Sequence, residues 1–106
     1  MKKELSACPV EVTLSLINDK WKVLIVRDLL TGTKRFNELK RSVTGITQKV
    51  LTNNLRQMES DKLVKRKVYA EVPPRVEYSL TAVGLSLKPI LDSMLEWGNE
   101  YREKHT

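Results

Sequence analysis

The stretch from Thr47 to Lys62 constrains this chain more than any other. Leu51, Leu55 and Met58 fall at i, i+4 and i+7, one stripe of a helix, and so demand a core behind them. At about 100° per residue, Lys49, Thr52, Asn53 and Arg56 then lie on the opposite side, which is basic and rich in amide and hydroxyl groups. A helix divided this way packs with one half and leaves the other half to solvent or a partner. A turn, Val43-Thr44-Gly45-Ile46, leads into it. Before the turn, Phe36 to Ser42 reads as a shorter helix with Phe36, Leu39 and Val43 turned inward. Two helices joined through a glycine-bearing turn make a helix-turn-helix over residues 36–62.

The flanking segments supply what such a motif must pack against. Pro9 offers a helix start, with Val10, Thr13, Leu14 and Ile17 at helical spacing and Val12 and Leu16 on a second stripe, ending near Asn18. Asn18 or Asp19 can cap the next helix, Lys20 to Leu30, whose Trp21, Val23, Leu24, Ile25, Val26, Leu29 and Leu30 leave only a narrow polar face. A helix that apolar belongs at the domain centre, and Gly32 closes it. Thr33-Lys34-Arg35 is a short extended stretch. After the motif, Leu63–Tyr69 and Arg75–Leu80 are β-rich and flank Ala70-Glu71-Val72-Pro73-Pro74, whose prolines cannot continue a paired strand, so residues 63–80 read as a hairpin, or wing. Thr81 caps a last helical region that Gly84 and Pro89 break or bend. Over residues 88–104, Ile90, Leu91, Met94, Leu95, Trp97 and Tyr101 form a wide apolar stripe.

The predicted fold class is therefore α+β and mainly helical: one winged helix-turn-helix domain spanning residues 1–106, with helices at both ends. Neither repeats nor a composition break divide the 106 residues. A chain this short buries a modest share of its surface, which favours a partner subunit.

Charge locates the function on this scaffold. The net charge is +6, but the excess is local: Thr33 to Lys67 holds ten basic residues against three acidic ones, a net +7. Met1 to Gly32 is nearly balanced, and Val68 to Thr106 carries four basic residues against six acidic ones. A basic excess confined to the helix-turn-helix and the first wing strand points to a polyanion, and the groups on the outer helix face point to double-stranded DNA. The N-terminal part of a helix in the major groove meets base edges. Thr47, Gln48, Lys49, Thr52 and Asn53 suit that work: Gln48 and Asn53 can pair with adenine, and Lys49 can reach a guanine edge or a phosphate. Arg56, farther along, is placed at the backbone. Lys34, Arg35, Lys40 and Arg41 flank the motif and would neutralise phosphates.

Other chemistries find no support. One cysteine, Cys8, gives no internal disulfide, and with a single histidine, His105, no structural zinc site can be assembled; no metal and no cofactor are expected. The start Met1-Lys2-Lys3-Glu4-Leu5 lacks a following apolar run, and no segment approaches the roughly 20 apolar residues of a membrane span, so a cytoplasmic protein without membrane contact is expected. Nothing resembles a nucleophile with a paired base or a phosphate-cradling glycine loop, so no enzyme activity is expected.

Several runs carry a family resemblance: Cys8-Pro9; Lys20-Trp21 with Leu24-Ile25; Arg35-Phe36-Asn37-Glu38-Leu39; Gly45 to Thr52; and, most specifically, Tyr69-Ala70-Glu71-Val72-Pro73-Pro74-Arg75-Val76-Glu77-Tyr78-Ser79-Leu80-Thr81-Ala82-Val83-Gly84. Together they resemble the HxlR family of winged-helix regulators, over about Cys8 to Tyr101. The resemblance implies a transcription regulator, commonly a repressor, that forms a homodimer through its first and last helices and presents two recognition helices to a pseudo-palindromic operator. It places the recognition role on Thr47 to Arg56 and the wing role on Lys67, Tyr69, Pro73, Pro74 and Arg75. The sequence supports the dimer independently, because Trp97 and Tyr101 extend the stripe of Ile90, Leu91 and Met94 beyond what so small a core can cover, with Val12 and Leu16 as counterparts on the first helix. Packing against the first helix of the same chain accounts for some of these residues equally well. The resemblance also makes Cys8 a candidate sensor of oxidants or of a small-molecule effector, against a plain reading as a small, partly buried apolar residue. The rival to sequence-specific regulation is a winged-helix module for protein contact or for nucleic-acid binding without sequence preference. A protein-contact version would expose apolar residues on the outer face of Thr47 to Arg56, and this face has none.

Overall fold

The computed structural model describes residues 4–106; Met1, Lys2 and Lys3, part of the N-terminal reading above, lie outside the described residues. Pro9 sits in the first turn of α1 (Pro9–Leu16), where its missing N–H costs nothing. This helix buries none of its residues fully. Its two stripes separate: Val10 and Leu14 are exposed, while Val12 and Leu16 are half-buried, with Leu16 against the core and Ile17 buried just beyond.

Of the two cap candidates for α2 (Lys20–Leu29), Asp19 is the one used: its Oδ1 accepts the Lys22 N–H at 2.9 Å. Ile25, Val26 and Leu29 are buried, as the apolar pattern requires. Lys22 is buried with them, only 3% exposed, and its ammonium donates to Asn18 Oδ1 at 3.0 Å and stands 3.5 Å from Asp19 Oδ2. The turn that starts the helix thus also satisfies a charge beneath it.

Beyond Gly32 comes β1 (Lys34–Arg35), then α3 (Phe36–Ser42) and α4 (Gln48–Ser60). Arg35 N–H donates to Glu38 Oε1 at 2.8 Å where α3 begins, and Ser42 Oγ donates to Asp28 Oδ2 at 2.6 Å, tying α3 to α2. Gly45, at φ +89°, makes the turn between α3 and α4 in a conformation that a side chain would strain. Leu51, Leu55 and Met58 are buried as their spacing predicts. The end of α4 is a Schellman motif: Lys62 turns left-handed at φ +62°, its N–H donates to Glu59 O at 3.0 Å, and Leu63 N–H donates to Met58 O at 2.9 Å. Met58 and Leu63, which close it, are both buried.

The wing departs from the sequence reading in one respect. β2 (Val64–Tyr69) and β3 (Arg75–Leu80) form the expected antiparallel hairpin, but β1 joins the other edge of β3, so the sheet has three strands in the order β1-β3-β2. The extended stretch expected at Thr33-Lys34-Arg35 is thus present as β1, but two residues cannot display a two-residue period, so its pairing with β3 is not legible in the sequence. The register pairs Val64 with Leu80, Arg66 with Tyr78 and Val68 with Val76 on one face, and Lys65 with Ser79, Lys67 with Glu77 and Tyr69 with Arg75 on the other. Val64 and Leu80 are buried, so the first face is the one that packs on the helices.

Thr81 joins the wing to α5 (Ala82–Leu85). It caps that helix by accepting the Gly84 N–H at 3.1 Å, and it returns to the end of α4 by donating its hydroxyl to Lys62 O at 2.6 Å. Gly84 does not break the helical region, as the sequence reading expects. It is buried inside α5, where an added Cβ would overlap the Leu63 carbonyl oxygen. The expected interruption is present and falls at Ser86-Leu87, and Pro89 marks it: in the first turn of α6 (Lys88–His105) it has no N–H with which to continue the hydrogen-bond ladder of α5. α6 packs on α2, Leu87 and Leu91 join the buried core, and past Leu91 no further residue of α6 is buried. No helix among the described residues is long and apolar enough to cross a membrane.

Candidate nucleic-acid interface

Burying Leu51, Leu55 and Met58 decides which way the rest of α4 faces. Gln48, Lys49, Asn53 and Arg56 are exposed on its outer side, and Thr52 is half-buried at the margin. Thr47, read in the sequence as the first residue of the helix, stands just before it as the N-cap: its Oγ1 accepts the Val50 N–H at 3.2 Å. Its hydroxyl proton remains available, but its position is set by capping. Asn54, which the sequence reading passed over, is buried behind this face; its Nδ2 donates to Val50 O at 2.8 Å while its Oδ1 has no partner.

The flanking cations differ in their surroundings. Lys40 and Arg41 are exposed at the C-terminal end of α3, Arg35 is exposed and Lys34 half-buried on β1. Among the described residues, Lys34, Lys40, Arg41, Lys49 and Arg56 make no ion pair and no side-chain hydrogen bond. The wing cations are engaged. The Arg75 guanidinium lies 4.0 Å from the Tyr69 ring centre, with Lys67 Nζ at 4.9 Å, and Arg75 is paired with Glu71 at 3.4 Å and with Glu77 at 3.7 Å. Three of the five wing residues named from the sequence, Lys67, Tyr69 and Arg75, are therefore one cluster, built by the pairing of Tyr69 with Arg75 across β2 and β3. Pro73 and Pro74 are exposed at the wing tip, with the Val72-Pro73 bond cis.

Two wing residues that the sequence reading left out complete this surface. Arg66 and Tyr78, a cross-strand pair, face α4, where they line a cleft of about 300 Å³ together with Thr52, Leu55, Arg56 and Glu59. Arg66 Nε stands 3.7 Å from Glu59 Oε1, linking the wing to the helix. Burial raises the pKa of the Tyr78 hydroxyl above its ordinary value; Arg66 and Arg56 oppose that shift and Glu59 adds to it. The phenol is thus a proton donor at neutral pH.

The residues expected at a dimer contact separate into two groups. Leu91 belongs to the chain's own core and Leu16 packs against it, which removes Leu91 from any exposed contact face. Ile90, Met94, Trp97 and Tyr101 are exposed, joined by Leu95 on α6 and by Val10 and Leu14 on α1. Trp97 stacks on Tyr101 at 5.3 Å, and Tyr101 on His105 at 4.3 Å. Cys8 is exposed immediately before α1, and its thiol caps nothing.

Comparison with known proteins places this architecture. The family model described as HxlR-like helix-turn-helix matches residues 16–106. The HTH-type transcriptional regulator YdeP of Bacillus subtilis (strain 168) is 45% identical over 101 residues, covering 95% of this chain and 79% of YdeP. An HTH-type transcriptional regulator of Methanothermobacter thermautotrophicus is 51% identical over 94 residues, covering 89% of this chain and 72% of its own length. Among solved structures, the redox regulator HypR in its reduced form superposes with a TM-score of 0.86 at 49% identity, over 90% of this chain and 94% of HypR. These relatives are transcription regulators and not enzymes. With a three-stranded wing behind a helix-turn-helix, and a family match over most of its length, this chain belongs to the HxlR-like helix-turn-helix family of DNA-binding transcriptional regulators.

Proposed function

We propose that this regulator binds a specific, pseudo-palindromic DNA operator as a homodimer in the cytoplasm and acts as a repressor. The single observation that carries the reading is the outer side of α4, where Gln48, Lys49, Asn53 and Arg56 are exposed without side-chain partners among the described residues, on a helix whose other side is packed. Groups left unpaired on a rigid element are free of the cost of breaking an internal contact when a base edge arrives. In this reading Thr47, Gln48, Lys49, Thr52 and Asn53 work at the bases and Arg56 at the backbone. Lys34, Arg35, Lys40 and Arg41 neutralise phosphates, and the wing tip around Pro73 and Pro74 follows the adjacent groove. The exposed apolar residues of α1 and α6 pair two chains, so that the two α4 helices address two half-sites.

Cys8 supplies the oxidant response. Its exposure just ahead of α1 supports this role, as does the similarity to HypR, a redox regulator known in both reduced and oxidised forms. Two Cys8 thiols, one from each chain, would give up two protons and two electrons to a peroxide-class oxidant and form an intersubunit disulfide.

A gel shift with the chain's own upstream region tests the reading. Submicromolar binding that survives an excess of random DNA is the expected result; equal affinity for random DNA would replace it with non-specific nucleic-acid binding, and no binding with a protein-contact role. For Cys8, operator binding is compared before and after a thiol oxidant in wild type and Cys8→Ser. The wild type alone should respond, and identical behaviour of the two would remove the sensor.

A further inference from the structure

The cleft between α4 and the wing is lined by more hydrogen-bond donors than the protein itself uses. Arg56 makes no ion pair, and neither the Tyr78 nor the Thr52 hydroxyl has a hydrogen bond among the described residues. Arg66 has one acidic neighbour, Glu59, at 3.7 Å, which is an ion pair beyond hydrogen-bond length. The lining thus carries two guanidinium groups, two hydroxyls and one carboxylate, a net charge of +1. These groups are exposed or half-buried, so water satisfies them in the free protein, and an oxyanion between two guanidinium groups would replace that water with charge-assisted hydrogen bonds. The volume, about 300 Å³, accommodates a phosphate-class oxyanion, either alone with its hydration water or on a small molecule that carries it.

We propose that this cleft is an anion site that takes a single phosphate-class oxyanion, with Arg56 and Arg66 as the charged clamp, Tyr78 as the hydroxyl donor, and Glu59 as the internal competitor for Arg66. The pairing of Arg66 with Tyr78 across β2 and β3 fixes two of the three donors relative to each other, and the packed stripe of α4 fixes the backbone that carries Arg56. Two sources offer the same chemistry: a phosphodiester of the bound operator, or a free phosphorylated small molecule. The first deepens the DNA-binding reading and rests on it. The second does not.

The test has two arms, run on the full chain as wild type, Arg66→Ala and Tyr78→Phe. The phenylalanine variant keeps the ring that packs in the cleft and guards against misreading a folding defect. In the first arm, inorganic phosphate is titrated without DNA at constant ionic strength, and the amide and guanidinium NMR signals of Arg56, Arg66 and Tyr78 are followed. Saturable shifts in wild type, weakened at least several-fold in both variants, are expected. In the second arm, binding to a selected operator is measured against salt. If the phosphate comes from DNA, both variants bind more weakly, and Arg66→Ala flattens the salt slope by about 1. Phosphate shifts in wild type with operator affinity unchanged in the variants would assign the cleft to a free anion. No saturable shifts and unchanged operator binding in both variants would overturn the proposal. A wild type that selects no operator would fail the DNA-binding reading, and the phosphate arm would still decide the cleft.

Discussion

α4 and α6 are both amphipathic, and both present one side to solvent, but what they present is opposite. α4 buries Leu51, Leu55 and Met58 and shows Gln48, Lys49, Asn53 and Arg56. α6 buries Leu91 and shows Ile90, Met94, Leu95, Trp97 and Tyr101. One helix has completed its apolar packing within the chain and offers polar groups; the other has an apolar surplus that its own domain cannot cover. Exposed polar groups without partners suit a hydrated, charged ligand such as DNA, and an exposed aromatic stripe suits a second protein surface. In the proposed reading the two helices therefore serve separate partners, DNA at α4 and a second chain at α6.

Substitutions that act differently on the two helices would break or sharpen this contrast. The largest effect is expected for Leu55→Ala in the packed stripe of α4, about 2 to 5 kcal/mol of stability by chemical denaturation, because the substitution removes buried methyl groups and the contacts they make. A change within about 0.5 kcal/mol would mean the stripe is not a core. Trp97→Ala, a comparable truncation on α6, should instead leave the chain folded and weaken self-association by about 2 kcal/mol or more, read by analytical ultracentrifugation. Loss of fold with no change in association would reverse the roles drawn here. Asn53→Ala should cost about 1 to 3 kcal/mol against the selected operator and relax preference at one base position, without altering stability. Thr47→Ala removes the α4 cap and should cost about 1 kcal/mol of stability by thermal melting.

Tyr78 gives the smallest signal. Its folded pKa is raised, so the folded state holds the phenolic proton more tightly than the unfolded one. The contribution is fully present below the ordinary tyrosine value of 10.0 and is lost as pH rises through the raised folded value. An absorbance titration should show one tyrosine ionising later than the free amino acid, and a Tyr78→Phe variant lacking that late component would identify it.

How much of this was legible in the sequence depended on distance along the chain. The α4 stripe, the Thr81 cap and the hairpin follow from local periodicity and local side-chain chemistry, so they could be read directly. The apolar surplus of α6 was readable as a stripe, but its division was not: Leu91 turns inward because α6 lies on α2, which a stripe alone does not reveal. On α1 the reading puts Val12 and Leu16 at the dimer contact, whereas the structure half-buries both, with Leu16 against the core, and exposes Val10 and Leu14 instead. Gly84 was taken for a breaker because the Leu63 carbonyl it accommodates comes from a segment remote in sequence. Arg66 and Tyr78 escaped notice for a related reason, since strand register makes them neighbours and packing on α4 brings Arg56 and Glu59 to them. Lys22, which the apolar pattern of α2 does not single out, is buried because the residues that cap its helix also receive its ammonium.

The central claim is that the outer side of α4 reads DNA sequence on behalf of a dimer held elsewhere. Selection of binding sites from a random DNA pool by the intact chain tests it most directly. The expected outcome is a pseudo-palindrome with two half-sites about 10 base pairs apart, centre to centre, or a multiple of that spacing. Repeated with Asn53→Ala, the selection should lose its preference at the same position in both halves. A pool that emerges without enrichment, or an enriched sequence that Asn53→Ala and Gln48→Ala recover unchanged, would contradict it.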